Sequence, residues 1–412
     1  MLIPTGMTSL KEQLVKFNFF ILLLLLILNP YTVIGSLGGL PALLLLSFFL
    51  FNKHLPSPFI RSFSLLLAIS VFGCFISFVN GIGQFNHVVV VVSIVVLFYS
   101  GVSLAYSFSN YGFKLDDLVS LINLVVIFNC MVIIMQLLVP ELRILVESVL
   151  INTGTRDWSD GFRYRGLGSS GGAALSLLSP ISMVISLYLY RNGYYSLFKY
   201  ISFLLVVIVA TTVIGRTGLV LCIFVLFVSS IVIISGKGAK TIITGVVSIT
   251  CFFLLFIILF PIVKEFLVEK YGEGFIEYSF GFLLEGKKGV ESEGTVSVLI
   301  QFISVLPIDF PFILTGYGFY GGSEFEPWTD SGFARTFLSV GIPFGVFFYF
   351  IVLTIFQPLY KNKLFCFLLL LCLFIGELKE PMLYSGYGAR AVFLLIATFY
   401  IYQQRVFSRK LV

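Results

Sequence analysis

Between Phe17 and Phe51 the chain carries no charged residue, and turn signals divide this apolar run at Asn29-Pro30 and at the Gly-Gly-Leu-Pro stretch ending at Pro41. Proline and paired glycines end helices, so the run predicts a hairpin of two helices rather than one long one. Further apolar runs lie near 63–79, 88–106, 118–139, 173–190, 200–215, 217–234, 241–263, 333–355, 364–381 and 386–403. Each approaches the roughly 20 residues with which a helix crosses a hydrocarbon core. The pattern predicts an all-α polytopic membrane protein: about 12 transmembrane helices in one integral membrane domain, with both termini on the same side.

Composition agrees with the pattern. Hydrophobic residues make up 58% of the 412 and charged residues 11%, too few charges to cover a soluble surface. Soluble enzyme, secreted domain, nucleic-acid binder and disordered chain are set aside, and the net charge of +6 is read as membrane topology rather than as a nucleic-acid partner. The six cysteines (Cys74, Cys130, Cys222, Cys251, Cys366 and Cys372) sit inside apolar runs without a CxxC pair, and the two histidines, His54 and His87, have no neighbouring ligand cluster. Neither a disulfide framework nor a metal or haem centre is expected. Lys11 and Lys16 ahead of the first run mimic a signal peptide; no small-residue cleavage site follows, so the run is read as an uncleaved span.

Charge gives the orientation. With the N-terminus in the cytoplasm, the short connectors on that side hold Lys11, Lys16, Lys53, Arg61, Lys114, Arg191, Lys199, Lys237, Lys240, Lys361, Lys363, Arg405, Arg409 and Lys410, against the acids Glu12, Asp116 and Asp117. The early outer loops at 29–36 and 80–87 have neither Lys nor Arg. This is the positive-inside pattern, with N- and C-termini cytoplasmic. Two long outer loops, about 140–172 and 264–332, exceed the roughly fifteen residues beyond which loops tend to be functional. In the second, VSVLIQFISVLPIDFPFIL is too apolar for a free loop and too interrupted for a span, which predicts an interfacial or re-entrant helix.

The candidate chemistry gathers on that outer side. Arg156, Arg163 and Arg165 lie in the first long loop and precede Gly166, Gly168 and Gly171-Gly172 at a helix entrance. Guanidinium forks suit phosphate oxygens, and glycines let backbone N–H groups approach an anion. The same loop also suits contact with lipid headgroups. Arg216 is the lone charge between Lys199 and Lys237, at the outer end of two consecutive runs. Charges at such depth are functional or paired, and snorkelling is the plainer alternative. The second loop ends with Glu324, Glu326, Trp328, Asp330 and Arg335. The carboxylates suit proton transfer; Trp328, like Trp158, suits either sugar stacking or an interfacial aromatic belt. Glu377, Lys379, Glu380 and Arg390 flank a further outer turn, as a structural network or as part of the same site.

At these residues the sequence resembles the O-antigen and surface-polysaccharide polymerases of the O-antigen ligase-like superfamily. GRTGL at 215–219 is similar to that superfamily's arginine–glycine element between two spans, RYRGLG at 163–168 to the one in its first large periplasmic loop, and G-x-G followed by D-S-G-F-x-R-x-x-x-x-x-G-I-P-x-G, over 316–345, to the end of its second loop. The resemblance implies a membrane glycosyltransferase that joins undecaprenyl-diphosphate-linked oligosaccharide repeat units on the outer face of the bacterial inner membrane, with no cofactor and no metal. The product would be O-antigen, linked to lipopolysaccharide, or a capsule-like polysaccharide. It implies that Arg165, Arg216 and Arg335 hold the donor diphosphate charge as it leaves; Arg163 and Trp328 stand beside them as the candidates for diphosphate and sugar that the residues themselves suggest. A flippase and a chain-length regulator of the same pathway are the implied protein partners. The ligase branch carries a histidine–asparagine element near the end of the second loop; here Asp330-Ser331 stands there, and no histidine follows His87. That favours polymerase over ligase and leaves Asp330, Glu324 and Glu326 as candidate bases. A flippase or transporter is the alternative from another class, disfavoured by the absence of repeat symmetry and of midplane charges.

Overall fold

The computed structural model describes residues 10–151, 164–235, 264–265, 268–269, 272, 305–320 and 329–410. The first run is a hairpin of α1 (Leu10–Leu28) and α2 (Gly39–Phe51), closed by the short antiparallel strands β1 (Tyr31–Thr32) and β2 (Gly35–Ser36), with Tyr31 opposite Ser36. Then come α3 (Ile60–Val79), α4 (Asn86–Asn110) and α5 (Leu115–Leu138). The first long loop opens with α6 (Pro140–Val149), proline taking the first helical position, where its missing N–H costs nothing. Beyond it lie α7 (Ala173–Ser176), α8 (Leu178–Arg191), α9 (Leu197–Ile214) and α10 (Arg216–Ser235). The C-terminal part holds α11 (Phe312–Thr315), α12 (Gly332–Val340), α13 (Ile342–Ile355), α14 (Lys363–Lys379), α15 (Met382–Ser385) and α16 (Tyr387–Lys410). The run at 241–263 and the first nine residues of the segment expected to be interfacial, 296–304, lie outside the described residues; its described part ends in the single turn of α11.

Among the described residues, five helical stretches are long and apolar enough to cross a membrane: α3, α4, α5, Ala174–Arg191 and α9. The burial pattern is that of a protein in lipid. On α3 the large side chains Val71, Phe75 and Phe78 face outward, while Ser70, Gly73 and Ser77 face inward. Small and hydroxyl residues let helices approach closely and bond across the seam, since lipid supplies no hydrophobic drive between them. Thus Ser100 Oγ donates to the Ala42 carbonyl (2.9 Å) and Ser103 Oγ to that of Leu45 (2.8 Å), fastening α4 to α2. Asn123 on α5 donates to Ser186 Oγ (2.8 Å) and accepts from Ser182 Oγ (2.7 Å), fastening α5 to α8. The chain is a helical membrane protein.

One expected span, 333–355, is two helices. At Gly341 (φ +81°) the backbone leaves α12, and the Tyr317 and Gly318 N–H groups both donate to the Leu338 carbonyl at 2.7 and 3.2 Å. The G-x-G segment of the second loop thus satisfies a carbonyl that an unbroken helix would have used itself.

Basic residues gather at one end of the bundle. Lys16 pairs with Asp117 (3.1 Å), Tyr402 donates to the Phe113 carbonyl (2.8 Å), Arg405 reaches Asn110, and Arg191, Lys361 and Lys363 line one cleft. The arginine-bearing loops lie at the other end: α8 has Arg191 at one terminus and follows Ser176 at the other, about 20 Å away for a helix of its length.

Candidate functional site

Beyond α6 and Ile151, the described part of the first loop resumes at Tyr164. Its N–H donates to the Val213 carbonyl (3.1 Å) at the end of α9, and its ring carries the Arg143 guanidinium at 4.6 Å. Arg143 also pairs with Glu147 one turn along α6 (2.9 Å). Arg165 is buried: Nη2 donates to the Leu150 carbonyl (2.5 Å) and Nη1 to that of Ser169 (3.5 Å). Burial lowers its guanidinium from the usual value, and the charge of Glu147 opposes that shift. The next turn is held from two helices. Asn129 on α5 accepts the Leu167 N–H (2.8 Å), and the Tyr387 hydroxyl accepts the Ser170 N–H (2.6 Å) and donates to the Ser170 carbonyl (3.0 Å).

The GRTG segment packs directly on this loop. The Gly218 N–H donates to Ser176 Oγ at 3.1 Å, and a Cβ on Gly218 would overlap the Ser176 carbonyl. A Cβ on Gly215 would lie 3.1 Å from Ser176 Cβ and 3.2 Å from the Gly172 carbonyl carbon. The two glycine-rich elements are therefore one packed unit, and the glycines are there because the backbones touch. Arg216, the first residue of α10, keeps its side chain exposed beside this unit. A cation at a helix N-terminus next to a glycine-lined loop can seat an anion. Gly218→Ala is expected to force α7 and α10 apart, at a cost of about 1–3 kcal/mol. Thermal unfolding of the purified variant in detergent checks this, and an unchanged Tm would refute the packing argument.

The third element is α12. Ser331, buried, caps it by accepting the Ala334 N–H (3.4 Å), which sets Arg335 on its first turn. Arg335 Nε donates to the Thr329 carbonyl (2.8 Å), and Nη2 lies 3.9 Å from Asp330 Oδ1. Beneath this turn is Glu377 of α14, 1% exposed, which accepts from the Tyr349 hydroxyl (3.0 Å) and the Leu383 N–H (2.9 Å). A Cβ on Gly332 would overlap the Glu377 carboxylate, so α12 rests on it directly. Met382 then bridges to the first unit: it packs on Gly376 and Gly388, which also meet Leu177 and Ile181 at the start of α8.

Arg165 and Arg216 thus share one packed unit, and Arg335 with Asp330 joins the same end of the bundle through Glu377 and Met382. Arg163, Glu324, Glu326 and Trp328 lie outside the described residues. Glu377 turns inward to Tyr349, whereas Arg390 reaches the Leu26 carbonyl (3.3 Å), so these two members of the expected ion-pair group serve different places. Sequence reasoning did not single out Asn129, Ser176, Tyr349 or Tyr387. Each is one polar residue in or beside an apolar run, and no local pattern marks it.

Comparisons with protein-family models, curated proteins and solved structures find no match.

Proposed function

We propose that this chain is a polysaccharide polymerase of the membrane: a glycosyltransferase joining undecaprenyl-diphosphate-linked oligosaccharide units on the outer face of the bacterial inner membrane. In this reading about twelve helices cross the bilayer with both termini cytoplasmic. The observation that carries the proposal is the packing of the Arg165 loop on the Gly215–Gly218 element, which gathers arginine and glycine at a helix entrance at the end of the bundle opposite its basic connectors.

The acceptor hydroxyl oxygen attacks the anomeric carbon of the donor, and the bond from that carbon to the diphosphate oxygen breaks. The diphosphate leaves with the electron pair. Arg216, exposed, neutralises its growing charge together with Arg335; Arg165 ties the described loop to the Leu150 and Ser169 carbonyls, with Arg163 as a further candidate for the diphosphate. The hydroxyl proton passes to a carboxylate within hydrogen-bond reach or one water away. Asp330, partly exposed beside Arg335, is the first candidate, with Glu324 and Glu326 as the others. Asp330→Asn, Glu324→Gln and Glu326→Gln, assayed for polymer at normal protein levels, test the assignment: at least one is expected to lose polymer, and full activity in all three ends it.

A ligase would transfer finished glycan to a lipid A-core acceptor, and a flippase would move units across the bilayer. Gel analysis of surface glycan from a clean deletion separates the three. Loss of a polymerase leaves one repeat unit on the acceptor and loss of a ligase leaves none. Loss of a flippase stops units inside. The first outcome is expected; either other outcome overturns the proposal.

A further inference from the structure

One turn beyond Tyr387, Arg390 projects from α16 into a cavity of about 230 Å³ between α1, α2, α4 and α16. The walls are mostly apolar, with Leu26, Val96, Leu97 and Phe393 among them, and Asn29 and Ser36 stand at the rim. Among the described residues that line it there is no carboxylate. The one hydrogen bond the Arg390 side chain makes among the described residues runs from Nη1 to the Leu26 carbonyl at 3.3 Å. A guanidinium has five N–H donors, so most of its capacity is left unpaired among the described residues of a wall that it helps to line. Asn29 and Ser36 are turned to each other and to the backbone at the start of α2: Asn29 Oδ1 accepts the Gly38 N–H (3.1 Å) and Ser36 Oγ the Gly39 N–H (3.2 Å). They hold the rim rather than neutralise the arginine.

Val92 and Ser93 of α4 line the cavity and are exposed, so it opens sideways onto the lipid-facing surface. A cation in an apolar chamber within a membrane is costly without an anionic partner. An occupant that supplies the anion and also matches apolar walls and a lateral mouth is a lipid with a phosphate at its end. A soluble anion would leave the walls uncovered.

We propose that this cavity is a second lipid-phosphate site, separate from the Arg216 unit, and that it seats the diphosphate end of the lipid-linked acceptor while the donor lies against Arg216 and Arg335. The assignment to the acceptor rests on the polymerase reading; the cavity's preference for a lipid phosphate does not. Arg390 lies one turn from Tyr387, whose hydroxyl holds the Arg165 loop, so α16 would carry the two lipids side by side.

Native mass spectrometry of the purified full chain with undecaprenyl diphosphate tests this by counting bound lipids. The intact protein is expected to bind two, Arg390→Leu one, and Arg216→Ala one. Arg390→Lys, which keeps the charge, should retain the second lipid. Ser93→Phe blocks the mouth without touching the guanidinium, and should also lose one, which keeps the test valid if Arg390→Leu folds badly. Two lipids bound to both Arg390→Leu and Ser93→Phe would overturn the proposal, as would a single lipid lost only in Arg216→Ala. A single lipid lost only in Arg390→Leu and Ser93→Phe would uphold the cavity and defeat the donor site instead. Inorganic diphosphate alone raising the Tm as much as the lipid does would also overturn it, by making the occupant a soluble anion.

Discussion

Arg216→Ala is expected to abolish visible polymer while the protein stays inserted and abundant. Arg216 is exposed at the first turn of α10, and its neighbours Gly215 and Gly218 make the close backbone contacts with α7. Removing the guanidinium therefore leaves that backbone packing in place and, on the proposed reading, takes away the cation that would face the leaving diphosphate. Losing one charge-assisted contact that strengthens in the transition state costs on the order of 3 kcal/mol, about a hundredfold in rate. Arg216→Lys should be badly impaired, because an ammonium is a point charge rather than a planar fork. Arg165→Ala should differ in kind. Its side chain bonds the Leu150 and Ser169 carbonyls, so Tm and activity should fall together. Lys53→Gln and Arg61→Gln, near the other ends of their helices, should leave glycan length unchanged. Normal-length polymer from Arg216→Ala at normal expression would contradict the diphosphate role at its best-placed residue.

Glu377→Ala should be the most destabilising single change near the site. The carboxylate accepts the Tyr349 hydroxyl and the Leu383 N–H in a buried position, and α12 rests on it at Gly332. Its removal strands the buried Leu383 N–H at about 1–3 kcal/mol, leaves the Tyr349 hydroxyl only Thr336 Oγ1 (3.0 Å) as a partner, and opens a void under the turn that carries Arg335. Glu377→Gln retains an acceptor oxygen and the volume, so it should fall between wild type and alanine. Thermal unfolding in detergent gives the order: wild type, glutamine, alanine. Alanine melting with the wild type would refute this account of how α12 is held.

The helices were legible because lipid imposes a simple rule: apolar runs of about 20 residues become helices wherever glycine and proline allow. The hairpin at Asn29-Pro30 and the helices from Ile60 to Leu138 follow it closely. Gly341-Ile342-Pro343 marked an interruption, but the break into α12 and α13 depends on Tyr317 and Gly318 donating to Leu338, a long-range contact that hydropathy does not carry. The arginine segments were visible as isolated charges and glycines. Their assembly was not, because it depends on which helices are neighbours. Lipid-facing and helix-facing positions are both apolar, so burial leaves only a faint trace in the sequence, such as Ser70, Gly73 and Ser77 on one face of α3. The role of Tyr387 was invisible for the same reason, since one tyrosine near the interface reads as a belt residue until its hydroxyl is found at Ser170.

The central claim is that this chain alone lengthens a lipid-linked glycan. Purified protein in bilayer nanodiscs, given undecaprenyl-diphosphate-linked repeat units and no other protein, tests it most directly when the products are resolved by gel. The account predicts a ladder of multiples of the repeat unit with the intact chain, and single units alone with Arg216→Ala. Single units alone with the intact, well-folded chain, or an equal ladder with Arg216→Ala, would contradict it.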